Sequence, residues 1–142
     1  MNYREEFDGS YLLCLEIGDD IIASIAEFAL EEGIRGAIFM GIGAIDRAEI
    51  GYFDLVRKEY ARKAISGQRE LLSLKGNIGI ADEGEIVVHA HVILGDADMN
   101  CIGGHLFSSR ISVTGEIAVH PVSDIVRSPE NTTGLKLWNL RA

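Results

Sequence analysis

Ile86-Val87-Val88-His89-Ala90-His91-Val92-Ile93-Leu94 is the stretch on which the reading of this chain turns. Its β-branched and aliphatic side chains, closed by Gly95, predict a strand. Side chains alternate across a strand, so Ile86, Val88, Ala90, Val92 and Leu94 make one unbroken apolar face. His89 and His91 share the other face with Val87 and Ile93. An apolar face of that kind needs a sheet and a covering layer, and the flanking sequence offers both.

Upstream, Asp82-Glu83-Gly84 predicts a hairpin turn into this strand. Before it lie short strand-like runs over 10–17, 37–40, 48–55, 60–65, 70–74 and 78–80, separated by glycines and charged pairs. Downstream, 95–104 predicts a loop, 105–119 a long strand, 122–134 an irregular segment and 135–140 a last strand carrying Trp138. Between the first two runs, Ile21, Ile22, Ile25, Ala26, Phe28 and Ala29 recur at helical spacing, with Glu27, Glu31 and Glu32 off the stripe. Asp19 or Asp20 caps this helix and Gly33 stops it, giving one main helix over 21–32. The short connections favour hairpins. The fold class is therefore α+β: a single domain over 1–142 with a mostly antiparallel mixed sheet of about seven strands and the helix packed on it.

A chain of 142 residues, 47% hydrophobic and 25% charged, has the make-up of an ordinary globular domain. Its net charge is −9, from 13 Lys+Arg against 22 Asp+Glu. Affinity for duplex DNA comes mainly from Lys and Arg at phosphates, so nucleic acid is a disfavoured partner. Anionic membrane surfaces are disfavoured for the same reason. The longest basic cluster, Arg57-Lys58 with Arg62-Lys63, is broken by Glu59 and reads as a solvated face. The N-terminal residues lack the apolar run of a signal peptide, and no window reaches the ~18 apolar residues of a spanning helix. The two isolated cysteines, Cys14 and Cys101, make no disulfide framework, which points to a reducing, cytoplasmic setting.

The histidines carry the chemistry. His89 and His91 should lie ~6.6 Å apart on one face of a strand, close enough to lean onto one ion. Two imidazoles among apolar neighbours need partners for their nitrogens, and one cation satisfies both. If 86–94 and 105–113 pair as a hairpin, His105 comes across from them, and Gly103-Gly104 lets the chain approach. We therefore expect a divalent ion, zinc first, on His89, His91 and His105; iron(II), manganese and nickel also accept imidazole. Three nitrogens leave a fourth position open for water, unless Cys101 closes it and makes the site structural.

Other residues weigh less. Glu70, in an apolar stretch, is a candidate general base or a partner that orients a ligand histidine; an edge carboxylate fits it equally. Ser73 and Asn77 are candidates to line a pocket. Asp96 and Asp98 either gate the site or solubilise the loop. His120 reads as a surface histidine, Cys14 as a buried inert thiol, and Leu135, Leu137 and Trp138 as packing or subunit contact. Gly41-Ile42-Gly43 lacks the third glycine of a dinucleotide fingerprint and reads as a tight turn or close backbone packing.

Read in order, Gly41-Ile42-Gly43-Ala44, Gly51-Tyr52-Phe53-Asp54, Lys58-Glu59-Tyr60, Glu70-Leu71-Leu72-Ser73-Leu74, Gly76-Asn77-Ile78, His89-Ala90-His91, Gly103-Gly104-His105-Leu106 and Thr133-Gly134-Leu135 resemble the plants-and-prokaryotes-conserved (PPC) domain. The resemblance covers most of the chain, from residue 11 to residue 140. It implies a sheet flanked by helices and assembly as a homotrimer. In plants such domains are joined to basic AT-hook arms and mediate association; stand-alone prokaryotic members are often labelled as candidate DNA-binding proteins. The form with His-x-His and Gly-Gly-His looks like the metal-containing branch. Three functions are therefore in play: a zinc protein acting on a small molecule, an oligomerisation or regulatory module clipped by the metal, and a DNA-binding protein.

Overall fold

Asp20 sets the start of the helix. Its Oδ1 accepts from the Ala23 amide at 2.8 Å, and its Oδ2 accepts from the Ser109 amide at 2.6 Å. One carboxylate thus caps helix α1 (Ile21–Glu31) and ties it to a distant strand. The computed structural model describes residues 1–81 and 84–140. The helix stops where expected, with Gly33 at φ +66° and the Ile34 amide donating back to the Ala29 carbonyl at 2.8 Å. Ile21, Ile25, Phe28 and Ala29 are buried, as the stripe required. Burial of one such large side chain is worth about 1.5–3 kcal/mol.

The strands are β1 (Asn2–Glu5), β2 (Tyr11–Leu15), β3 (Ala37–Asp54), β4 (Glu59–Ile80), β5 (Ile86–Gly95), β6 (Cys101–Pro121), β7 (Arg127–Pro129) and β8 (Lys136–Trp138). The main sheet runs β1-β2-β6-β3-β4-β5, and β5 pairs back onto β6. The path β6-β3-β4-β5 therefore closes on itself. Among the described residues every strand pairing is antiparallel, and the parallel contact is an isolated bridge between Ile80 and Val126. The helix covers the inner face, against β5 and β6. Leu13, Leu15, Phe39, Leu74, Val92 and Val119 fill the space beneath it.

Several expected boundaries change. The runs 37–40 and 48–55 are one strand, β3, and 60–65, 70–74 and 78–80 are one strand, β4. The charges and glycines that read as breaks lie at bulges, where register shifts at Gly41/Gly43, Ile45/Arg47 and Leu71/Ser73, or, at 75–77, within an unbroken ladder held from both sides. Gly41 and Gly43 are close-packing positions: an added Cβ would sit 2.6 Å from the Glu116 carbonyl oxygen and 2.2 Å from that of Thr114. The loop expected over 95–104 shrinks to residues 96–100, because Asp96 Oδ1 accepts from the amides of Asp98 (3.0 Å) and Asn100 (2.9 Å). Asp96 is thus a turn-builder. Strands β1 and β7 were not expected, and the last strand is shorter than 135–140. Of the turn expected at Asp82-Glu83-Gly84, the first two residues lie outside the described residues.

Cys14 is a correction. It is exposed, because β2 buries only Leu13 and Leu15 and turns Cys14 to the outer face. His120 is exposed, as expected. Among the described residues no helix is long and apolar enough to cross a membrane.

Gly76 lies on β4 between Phe39 of β3 and Ala90 of β5, where a Cβ would meet the His89 carbonyl oxygen and the Phe39 ring, each at 2.3 Å. Neither neighbour is the free end of a flexible chain. Gly76→Ala should destabilise the protein by about 1–3 kcal/mol, read as a lower urea midpoint at unchanged slope. An unchanged midpoint would show that the sheet yields here.

Candidate metal centre

His89 and His91 lie on β5 with Ala90 between them, and His105 on β6 stands directly across from His91 in the antiparallel register. The histidines belong to the outer face of the sheet, while Ala90 and Val92 belong to the core. Their ring centroids are 5.2 Å apart for His89–His91, 5.0 Å for His89–His105 and 5.4 Å for His91–His105. One ligand nitrogen from each lies within 4.8 Å of the others. Nitrogens at about 2.0–2.1 Å from a tetrahedral ion stand roughly 3.3 Å apart, so small ring rotations complete the cradle. His89 and His105 are half-buried and His91 is exposed, which leaves an open side.

Two observations test whether a cation fits. Nδ1 of His105 is buried and has no hydrogen-bond partner. An orphaned buried nitrogen is costly unless something outside the protein satisfies it. The second is charge state. Burial, then the Arg127 charge and His91, hold the His89 pKa down at about 4. Burial, then His89, His91, Arg62 and Arg127, do the same to His105, also to about 4. Both rings are neutral at pH 7, the form that ligates.

The surroundings include a residue that sequence reasoning missed. Arg127 of β7 is only 5% exposed. Its Nη2 donates to Asn77 Oδ1 at 2.5 Å and lies 3.3 Å from His89 Nδ1, and its Nη1 donates to the Lys136 carbonyl at 2.8 Å. The signal was an arginine inside the apolar run Ile125-Val126-Arg127, but nothing in its spacing pointed to β5. Trp138 Nε1 donates to the same Asn77 oxygen at 3.2 Å. On the other flank, Tyr60 and Phe107 stack near His105 with centroids at 4.9 and 4.6 Å, and Arg62 lies 3.8 Å over Phe107.

Not every candidate comes together. Asn77 reaches the site; Ser73 lines a groove on the outer face instead. Glu70 is exposed and registers with Gly95, four residues beyond His91, roughly 13 Å along the strand. Cys101 also registers with Gly95 and is not in the histidine cluster, so it does not stand as a fourth ligand. Asp98 lies in the turn beyond them, exposed.

Because the folded pKa values of His89 and His105 are depressed, their contribution to stability is present above the unfolded value of 6.5 and lost as pH falls towards 4. Metal-free protein should lose urea resistance across that window, and His89→Gln should flatten the loss. A pH-independent midpoint between 6.5 and 4 would contradict this environment.

The sequence profile of the Plants and Prokaryotes Conserved (PCC) domain matches residues 4–123. Among solved structures, a metal-containing protein from Archaeoglobus fulgidus is 38% identical, with TM-score 0.86, covering 98% of this chain and 99% of its own. A plant- and prokaryote-conserved protein from Pyrococcus horikoshii is 37% identical, with TM-score 0.84, over 92% of this chain and 90% of its own. A protein from Bacteroides thetaiotaomicron, described as a candidate DNA-binding protein, is 27% identical with TM-score 0.93, over 99% of this chain and 98% of its own. No curated protein matches. By profile, sequence and fold together, the chain belongs to the Plants and Prokaryotes Conserved domain family.

Proposed function

We propose that this protein is a homotrimer that binds one zinc ion per chain on His89, His91 and His105 and acts there on a small molecule. The observation that carries the reading is the convergence of three imidazoles, one with an orphaned buried nitrogen, on a side open to solvent. The metal-containing relative supports it. His89, His91 and His105 would hold the zinc, which when bound would supply a Lewis acid able to lower the pKa of water. The chain's own part is to hold His91 and His105 in register, to keep His89 and His105 neutral by burial, and to fix Arg127 beside His89 through Asn77 and the Lys136 carbonyl. Glu70 lies too far along the strand to serve as a base on this side. The exposed free thiols Cys14 and Cys101 suit the cytoplasm.

Association is supported by the outer face of the sheet. Leu12, Met40, Ile42 and Leu72 line a broad groove there, and Ile42 is 57% exposed. Light scattering should report the mass of three chains, and Ile42→Glu should reduce it; a monomeric parent would refute the assembly.

The site itself is tested by metal analysis. Purified protein should carry one zinc per chain, and His91→Ala, at an exposed position that costs little stability, should bind it more weakly by over the ~10–100-fold typical of losing an outer partner. Equal zinc content in that variant would remove the site. The competing reading, DNA binding, rests on how a relative is described. A net charge of −9 argues against it, and no duplex binding is expected at physiological salt. Measurable binding with a steep salt slope would reverse the ranking.

A further inference from the structure

We infer that the open side of the histidine centre takes a small oxyanion, held jointly by the metal and by Arg127. The inference rests on the metal reading above and adds the class of ligand. Its starting point is a charge without a counter-charge. Arg127 is 5% exposed, yet its partners are neutral: the Asn77 amide oxygen, the Lys136 carbonyl and a nitrogen of His89. Among the described residues no carboxylate pairs with it, and its Nε is buried with no partner. A buried guanidinium so placed is costly unless an anion compensates it.

Metal binding sharpens the imbalance. Arginine only donates, so Nδ1 of His89 accepts from it, and the ring proton of neutral His89 sits on Nε2. A cation on Nδ1 displaces Arg127 from that atom. A cation on Nε2 moves the ring proton to Nδ1, which then no longer accepts. Either way Arg127 loses an acceptor from Nη2 while a divalent charge arrives beside it. The site then holds a dication and a guanidinium, with Lys75 in register with His91. Arg62, farther out, already pairs with Glu49 at 2.7 Å. Neutral histidines contribute nothing against this. An oxyanion that places one oxygen on the metal and another on the freed Arg127 donors balances both, in the paired-oxygen geometry that a guanidinium fork favours.

The test uses cobalt(II) in place of zinc, because its visible spectrum reports the coordination shell, and titrates the loaded protein with acetate and with inorganic phosphate. Acetate or phosphate should change the spectrum of the parent, and the tighter of the two names the oxyanion. Arg127→Met should keep its cobalt but bind that anion at least ten-fold more weakly. A parent spectrum blind to both anions, or a variant that binds as well as the parent, would overturn the inference while leaving the metal site intact. Failure to bind cobalt at all would instead strike the metal reading beneath it. Should Arg127→Met not fold, the Arg127 Nε–H resonance of the zinc-loaded parent carries the test: it should move on saturation with the anion, and an unmoved signal would overturn the inference.

Discussion

The direct opposition of His91 and His105 across the β5–β6 ladder is the constraint on which the rest depends. A strand register is discrete. A slip of one residue would turn His105 into the core and bring Gly104 or Leu106 to its place. The Asp96 turn fixes that register from one end, since it joins β5 to β6 with Gly95 opposite Cys101. The pairing of β5 with β4 fixes it from the other side, placing Asn77 opposite His89. The closed path of strands thus leaves little freedom to the three rings. Such preorganisation lets a cradle of two half-buried imidazoles and an exposed one persist without the ion.

The same face carries two different kinds of surface. In register across the sheet run Leu12, Ala118, Met40, Lys75, His91 and His105. The apolar end of this row meets the groove assigned to self-association; the polar end is the histidine centre. Lys75 stands between them. The apolar groove and the histidine centre therefore share one continuous face, opposite the helix. The overall charge of −9 hides a local inversion, because Arg127, Arg62 and Lys75 surround the histidines. That contrast between an acidic molecule and a basic pocket is the kind of field that draws in a small anion and repels a polyanion.

Much of this was legible in the sequence. The alternation of β5 placed both histidines on one face, and the helix over 21–32 ended within a residue of its observed bounds because cap, stripe and stop agreed. His105 was reachable because only a hairpin separates it from His91. Strand lengths were not legible: glycines and charges that normally end strands sit at bulges or, like Gly76, in regular register in β3 and β4, where neighbours on both sides hold the ladder together. Cys14 misled because alternation tells which residues share a face but not which face is covered. Arg127 was hidden for a different reason. Its place beside His89 depends on β7 folding back over the end of β4, a contact with no local pattern to announce it.

The most direct measurement is anomalous diffraction at the zinc edge from crystals of metal-replete protein. The account predicts a single peak per chain, about 2.0–2.1 Å from one nitrogen each of His89, His91 and His105. Histidine rings turned apart, or joined only to water and protein atoms under those conditions, would contradict it.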